Sequence, residues 1–389
     1  MIHEVLLPRR IAYGLGAFAG IGEHVAALGR KALIVSDPAM ERLGRVDDCR
    51  RLLADSGVAS AAYCGVHTEP TDRHVAEAMD ACRAEGCDVI VAVGGGSCID
   101  AAKAAAVMMT NDGAIGDYTG GRKRFARPPL PLVAVPTTAG TGSEVTKVTV
   151  IIDTQTDVKM MISQPELLPA VAIVDAELTL SCPPSVIAAS GIDALCHAVE
   201  AYISRKAQPV TDGWALQAIE RMYVRLPSLY AKSAGPEAYA DAALGAMLAG
   251  AAFSNASVTL VHGMSRPIGA LFHVPHGISN AMLLPTVLDY TAGFATERMA
   301  AIGRVVDPSC AGAAPEEQAA AARRALRALC RELNVPSLRG YGIDEAAFRA
   351  AVPKMARDAV ASGSPANHPR IASVEEIEAL YLACYDDET

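Results

Sequence analysis

The chain has 389 residues, more than one compact core sustains, and its balance of 51% hydrophobic and 20% charged residues suits a globular protein with large buried cores. A formal net charge of −9 without a basic tract argues against nucleic acid as a partner, because phosphate binding needs clustered Lys and Arg, and leaves a small molecule as the expected one. No apolar run approaches about 20 uncharged residues, and the opening MIHEVLLPRR lacks the order of a signal peptide, so a cytoplasmic location without membrane association and reduced, mostly buried cysteines are expected.

The first half alternates β-branched runs with Ala-rich stretches, the pattern of parallel β-α units, in which ligands bind at the carboxyl ends of the strands. GLGAFAGIG (14–22) imitates a dinucleotide fingerprint, but its spacing is G-x-G-x-x-x-G and only a short strand candidate precedes it. KALIVSD (31–37) reads as a strand ending in Asp37, which would accept both hydroxyls of a ribose and repel a 2′-phosphate, favouring NAD over NADP. CDVIVAVGGGS (87–97) reads as a buried strand running into a glycine turn, and GGGSCIDAAK (94–103) opens a helix with Ser97 placed to cap it. The free N–H groups and the positive helix end make that turn an anion site, so Gly94, Gly95, Gly96, Ser97 and Asp100 are candidate cofactor contacts. PLVAVPTTAGTGSE (131–144) is a strand entering a polar loop, where Thr137, Thr138 and Thr141 offer hydroxyls to a nicotinamide, ribose or phosphate.

From Pro183 onward the signal changes to Ala-rich helices with almost no strand candidates, which divides the chain into domains at 1–183 and 184–389. In GIDALCHAVEAY, Asp193 and His197 are four apart and share one helix face. His262 and His276 end the segment HGMSRPIGALFHVPH, and on one unbroken helix they would stand about 21 Å apart, too far for one metal. Gly263, Pro267, Gly269 and Pro275 are therefore expected to break that helix and fold the chain back. Three imidazoles and a carboxylate would then form a set that iron, zinc or manganese accepts. Further on, 312–334 reads as an amphipathic helix and ASGSPANHPR (361–370) as a loop.

The motifs GGGSCIDAAK, PTTAGTGSEVT, LLPAVAIVD, GIDALCHAVEAY, FSNASVTLVHGMSRPIGALFHVPHG and NHPR, in that order over essentially the full length, resemble the iron-containing (group III) alcohol dehydrogenases, a family that includes lactaldehyde reductase. The resemblance implies a Rossmann-like α/β dinucleotide-binding N-terminal domain and an all-α metal-binding C-terminal domain, an arrangement shared with dehydroquinate synthase. It implies Fe2+, with Zn2+ as the alternative, on Asp193, His197, His262 and His276, together with NAD(H) and a homodimer. The diphosphate falls to Gly95, Gly96 and Ser97, the nicotinamide side to Thr137, Thr138 and Thr141, and a ribose contact to Lys159. Phe253, Val258 and Ser364 match positions lining the family's substrate pocket.

One position departs from that pattern. Many relatives carry a second histidine four residues after the third ligand, credited with proton transfer, where this chain has Arg266. Arginine stays protonated and is no general base near neutral pH, which leaves His273 as the first relay candidate, or water and the cofactor ribose. Arg266 would instead clamp a carboxylate, sulfonate or phosphonate on the substrate, or pair with a nearby acid of its own chain. The expected activity is NAD-dependent interconversion of a small alcohol and its aldehyde or ketone. A zinc glycerol dehydrogenase or a dehydroquinate synthase-like lyase is the alternative.

Overall fold

Short runs of Val, Ile and Ala build eight strands: β1 (Arg10–Tyr13), β2 (Lys31–Val35), β3 (Ala59–Tyr63), β4 (Val89–Gly94), β5 (Leu132–Pro136), β6 (Val148–Asp153), β7 (Val158–Ser163) and β8 (Val171–Val174). Six of them form a parallel sheet in the order β1-β8-β5-β4-β2-β3, while β6 and β7 pair as a separate antiparallel hairpin that the sequence reading did not anticipate. The computed structural model describes residues 2–387 and divides into two units, Val5–Ser181 and the chain from Cys182 onward, the latter joined by the residues before Val5.

In the first unit the helices are α1 (Ile21–Ala26), α2 (Pro38–Arg42), α3 (Arg45–Asp55), α4 (Asp72–Glu85) and α5 (Gly96–Met108). The central strands are apolar at every position because both faces are covered. Val91, Val93, Val133 and Val135 pack with Ile21, Val25, Val46 and Leu53 of α1 and α3. Leu33, Ile90, Ala92 and Ala134 pack on the other side with Val75, Ala78 and the small residues of α5. Register then places the functional loops. Gly94 is opposite Pro136, and Val35 is opposite Ala92, so Asp37, two residues beyond β2, leaves the sheet level with the turns that follow β4 and β5.

The second unit is helical: α6 (Pro184–Ile203), α7 (Pro209–Tyr230), α8 (Pro236–Ala256), α9 (Leu260–Phe272), α10 (His276–Ala292), α11 (Thr296–Val306), α12 (Pro315–Glu332), α13 (Glu345–Ala361) and α14 (Val374–Asp386). No strand lies beyond Val174 among the described residues. Helix α6 is the one described helix long and apolar enough to cross a membrane, and its hydrophobicity is used in packing against α7, α8 and α10. Close approaches of backbone need glycine there: a Cβ on Gly303 would meet the Gln318 carbonyl oxygen at 2.0 Å, and one on Gly277 would meet the Ala189 carbonyl oxygen at 2.2 Å.

The expected break between His262 and His276 lies at Pro275, the last of the four expected breakers, and not at Gly263, Pro267 or Gly269. Helix α9 runs through Gly263, Pro267 and Gly269 and ends at Phe272. The turn is made by His273, in the left-handed region at φ 55°, followed by Val274 and Pro275 before α10 begins at His276. The missing N–H of Pro267 leaves only the carbonyl one turn back without its helical partner, a cost that tertiary packing of a buried helix absorbs.

Candidate functional site

The turn between β4 and α5 is a glycine cradle at the sheet's carboxyl edge. Helix α5 starts at Gly96 with Gly95 as its N-cap, so Ser97 lies inside the first turn and does not cap, contrary to the expectation from sequence. The N-cap glycine has no side chain to cap the helix, and with Cys98 N–H and Ile99 N–H turned to the Gly95 carbonyl (3.1 and 3.2 Å), the N–H groups of Gly96 and Ser97 are the ones placed to meet an anion. The loop after β5 lies alongside: Thr137 N–H donates to the Gly94 carbonyl at 3.0 Å, and a Cβ on Gly95 would come within 3.8 Å of Thr138 Oγ1. Asp37 stands beside this turn, its Oδ1 capping α2 through Ala39 N (2.7 Å) and Met40 N (2.9 Å) and its Oδ2 accepting from Cys98 Sγ at 3.4 Å.

Asp100 and Lys159 are occupied within the unit. Asp100 accepts from Ser143 Oγ (2.6 Å) and Val150 N (2.8 Å), tying α5 to the loop and to β6. One turn on, the buried Lys103 donates to the Thr146 carbonyl (2.9 Å), Thr146 Oγ1 (2.9 Å) and the Val148 carbonyl (2.8 Å). Lys159, on β7, is paired with Glu69 at 2.8 Å. The upstream glycine run explains itself: Gly16 N–H and Phe18 N–H donate to the two oxygens of Asp175, so that turn already holds an anion of its own chain.

In the helical unit, α6 sets Asp193, His197 and Glu200 at spacings of four and three, on one face. The turn between α9 and α10 then folds His276 back toward His262. Asp193 Oδ1 lies 3.5 Å from His262 Nε2, 3.9 Å from His276 Nε2 and 4.0 Å from His197 Nε2. Ligands about 2.1 Å from a tetrahedral metal stand about 3.4 Å apart, so these separations suit one ion. Ligand atoms of Asp193, His262 and His276 all fall within 4.8 Å of one another. His197 is held face to face between Phe253 (centroids 4.1 Å apart, 16°) and His262 (4.5 Å, 26°).

Two features of this group fit a cation at its centre. Asn280 Nδ2 points at three acceptors, 2.7 Å from Asp193 Oδ1, 3.1 Å from His262 Nε2 and 3.3 Å from His276 Nε2. Meanwhile Asn280 Oδ1 and His197 Nδ1 are buried without a hydrogen-bond partner among the described residues. One N–H donor at the focus of a carboxylate and two imidazoles occupies the place of a positive charge, and the donor set fits iron or zinc. The electrostatics agree: burial pushes the His197 imidazole down to about 4, against the pull of Asp193, which keeps it unprotonated and able to ligate. Burial alone would raise the Asp193 carboxyl, but His197, His276 and His262 hold it well below the usual range.

Glu200 escaped the sequence reading. Its Oε2 accepts from His262 Nδ1 at 2.6 Å, and its Oε1 accepts from Thr259 Oγ1 and Val261 N, both at 2.6 Å. The signal was present as a third polar residue continuing the Asp193/His197 face, in a helix otherwise buried and apolar.

Arg266 lies one turn beyond His262 on α9, and its Nη1 donates to Ser364 Oγ at 3.0 Å. Burial lowers the guanidinium's pKa, opposed by Glu200, and its charge in turn disfavours protonation of His197. Ser364 belongs to a turn pinned by Asn367, whose Nδ2 donates to Ser257 Oγ (3.0 Å) and to the Val258 carbonyl (3.3 Å). Phe253 thus borders the tetrad and Ser364 borders Arg266, while Val258 is tied through its carbonyl to Asn367 of the same turn as Ser364. His273 borders neither: it is exposed, closes α9, and makes no hydrogen bond or ion pair among the described residues.

The comparisons cover the whole chain. The family described as iron-containing alcohol dehydrogenase matches residues 8–176, and the C-terminal region of the Fe-containing alcohol dehydrogenase family matches residues 187–385. The chain is 37% identical over 386 residues to 1,3-propanediol dehydrogenase of Klebsiella pneumoniae, covering 98% of each. It is 36% identical over 387 residues to lactaldehyde reductase of Escherichia coli, covering 98% of this chain and 99% of that one. A solved structure of sulfoacetaldehyde reductase from Bifidobacterium kashiwanohense in complex with NAD+ superposes with a TM-score of 0.88 at 27% identity, over 100% of both chains.

Proposed function

The chain belongs to the iron-containing alcohol dehydrogenase family, and from that premise we propose that it is an NAD-dependent oxidoreductase interconverting a small alcohol and its aldehyde or ketone. The observation that carries the proposal is the convergence of Asp193, His262 and His276 in the helical unit, with His197 Nε2 4.0 Å from Asp193 Oδ1 as the fourth candidate ligand. Bound there, iron or zinc supplies a Lewis acid that polarises a carbonyl or acidifies a hydroxyl, while the nicotinamide gives or takes the hydride.

The chain's own residues do the rest. The bare N–H groups at the start of α5 receive the cofactor diphosphate, with Thr137, Thr138 and Thr141 alongside. Asp37 stands level with that turn, where a ribose diol would find a carboxylate and a 2′-phosphate would meet repulsion. Asp100 holds the two segments in register and Lys159 is steadied by Glu69. Phe253 fixes the His197 ring and removes water from one side of it.

Arg266 refines the substrate. A permanently charged guanidinium one turn from His262, steadied by Ser364, supports small substrates that carry an anionic group, and the relative named for sulfoacetaldehyde is consistent with that class. It also requires that the alcohol proton leave through water, the ribose or the exposed His273. A cytoplasmic homodimer belongs to the same proposal. The test is metal analysis coupled to a screen of alcohols and aldehydes, neutral and acidic, with NAD and NADP. No cofactor-linked turnover by iron- or zinc-loaded protein would reject the activity, and a preference for NADP would reject the role of Asp37.

A further inference from the structure

Glu200 is 1% exposed, and each of its close neighbours is a donor: Thr259 Oγ1, Val261 N, His262 N (3.3 Å) and His262 Nδ1. Helix α9 has no side-chain cap from its own N-cap residue, Thr259, so a carboxylate from α6 takes that part. The chain bends by 101° between α8 and α9, through Ser257 at φ 69°, and Glu200 receives the new helix where it starts. The same two oxygens therefore fix where α9 begins and how the ring of its third residue is turned.

We infer that Glu200 is a positioning residue that selects the tautomer of His262 and thereby makes that imidazole a metal ligand. A neutral imidazole carries one N–H. A carboxylate only accepts, so the hydrogen must sit on Nδ1, 2.6 Å from Oε2, and the lone pair must sit on Nε2, which faces Asp193. The carboxylate also supplies a second negative charge beside Asp193, so a divalent ion in this pocket is neutralised by Asp193 and Glu200 together. In Glu200→Gln the amide oxygen still accepts from Thr259 and Val261, but its NH2 turns toward His262 Nδ1. The ring then has to accept there and carry its hydrogen on Nε2, where it blocks ligation.

The inference rests on the metal reading, and its test separates the two. Zn2+ affinity is measured on the metal-stripped full chain by competition with a chelating dye, alongside thermal unfolding without metal. Glu200→Gln is expected to unfold near the wild-type temperature yet bind Zn2+ about 10- to 100-fold more weakly. Thr259→Val, which loses a capping contact but keeps Nδ1–H on Oε2, is expected to bind like wild type. Glu200→Gln binding within about threefold of wild type, or Thr259→Val losing as much as Glu200→Gln, overturns the inference. A wild-type chain that binds no Zn2+ defeats the metal reading instead. Should Glu200→Gln fail to fold, 15N spectra of the histidine-labelled wild type decide: hydrogen on Nδ1 of His262 supports the inference, and hydrogen on Nε2 overturns it.

Discussion

A Cβ on Gly96 would lie 2.7 Å from Thr141 Cγ2, so the first turn of α5 lies directly against the loop that follows β5. No rotamer of a larger residue avoids this contact, because the clash is with the Cβ itself. Gly96→Ala is expected to push the Thr141 loop outward and to raise the KM for NAD by about tenfold or more, on the scale of one or two lost hydrogen bonds to a charged group. Metal content should stay at the wild-type level. A variant with unchanged KM would show that the diphosphate binds elsewhere.

Metal removal should abolish turnover reversibly. The four proposed ligands are built into α6, α9 and the start of α10, and α10 packs on both of the other helices, so the stripped protein should keep its far-UV spectrum and recover activity when Fe2+ is restored. His276→Ala tests the ligand whose side chain is most open, at 35% exposure, and which is therefore least entangled with the core. It should bind metal more than about 100-fold more weakly, beyond the usual effect of losing an outer-shell partner, without a comparable fall in unfolding temperature.

The parallel sheet was legible because strands buried on both faces read as unbroken Val/Ile/Ala runs, and β2, β4 and β5 all did. The hairpin β6–β7 was not, because Val148–Asp153 is half-buried, so it lacks the unbroken apolar run that marks the sheet strands, and its partners lie 5 to 15 residues further along. The Asp193/His197 spacing identified the helix face, yet Glu200 on the same face was passed over: a lone glutamate three residues on looks like an ordinary helical charge until Thr259 and His262 are seen around it. Pro267 misled in the opposite direction. Prolines carry local breaking preferences that burial overrode at Pro267, whereas Pro275 does lie in the break, beside His273 in a left-handed conformation that no local pattern announces.

Glu144 should impose a pH dependence on the first unit. It is 3% exposed with Oε2 lacking a partner, and burial pushes its carboxyl up to about 7, with Lys103 pulling the other way. The unfolded chain releases this proton near the ordinary glutamate value of 4.5, whereas the folded unit keeps it until about 7. Within that window the folded state binds more protons, so stability falls as pH rises, by up to about 3 kcal/mol above the window. Lys103, pushed down to about 8 by burial, acts in a higher range: stability rises between about 8 and its ordinary 10.5. Chemical unfolding of Glu144→Gln and wild type from pH 4.5 to 7.5 isolates the first effect. The variant should gain on wild type across the window, and parallel curves would exclude Glu144 as the source.

Arg266 and Ser364 make the sharpest statement about substrate. Their 3.0 Å hydrogen bond steadies a guanidinium one turn from His262, in a wall that includes the pinned turn at 363–368. A charge-assisted pair between Arg266 and a substrate carboxylate, sulfonate or phosphonate is worth about 1.5–3 kcal/mol, so Arg266→Ala should lower kcat/KM for acidic aldehydes about 10- to 150-fold. Neutral aldehydes of the same length should lose far less, since they never met the charge. Arg266→Lys keeps the charge but not the planar fork and should fall between the two. Arg266→His separates recognition from proton transfer: an imidazole titrates where a guanidinium does not, so its rate for neutral alcohols should acquire a rise with pH through the imidazole range. Equal losses for acidic and neutral substrates in Arg266→Ala would reject the clamp and leave Arg266 as a structural partner of Ser364.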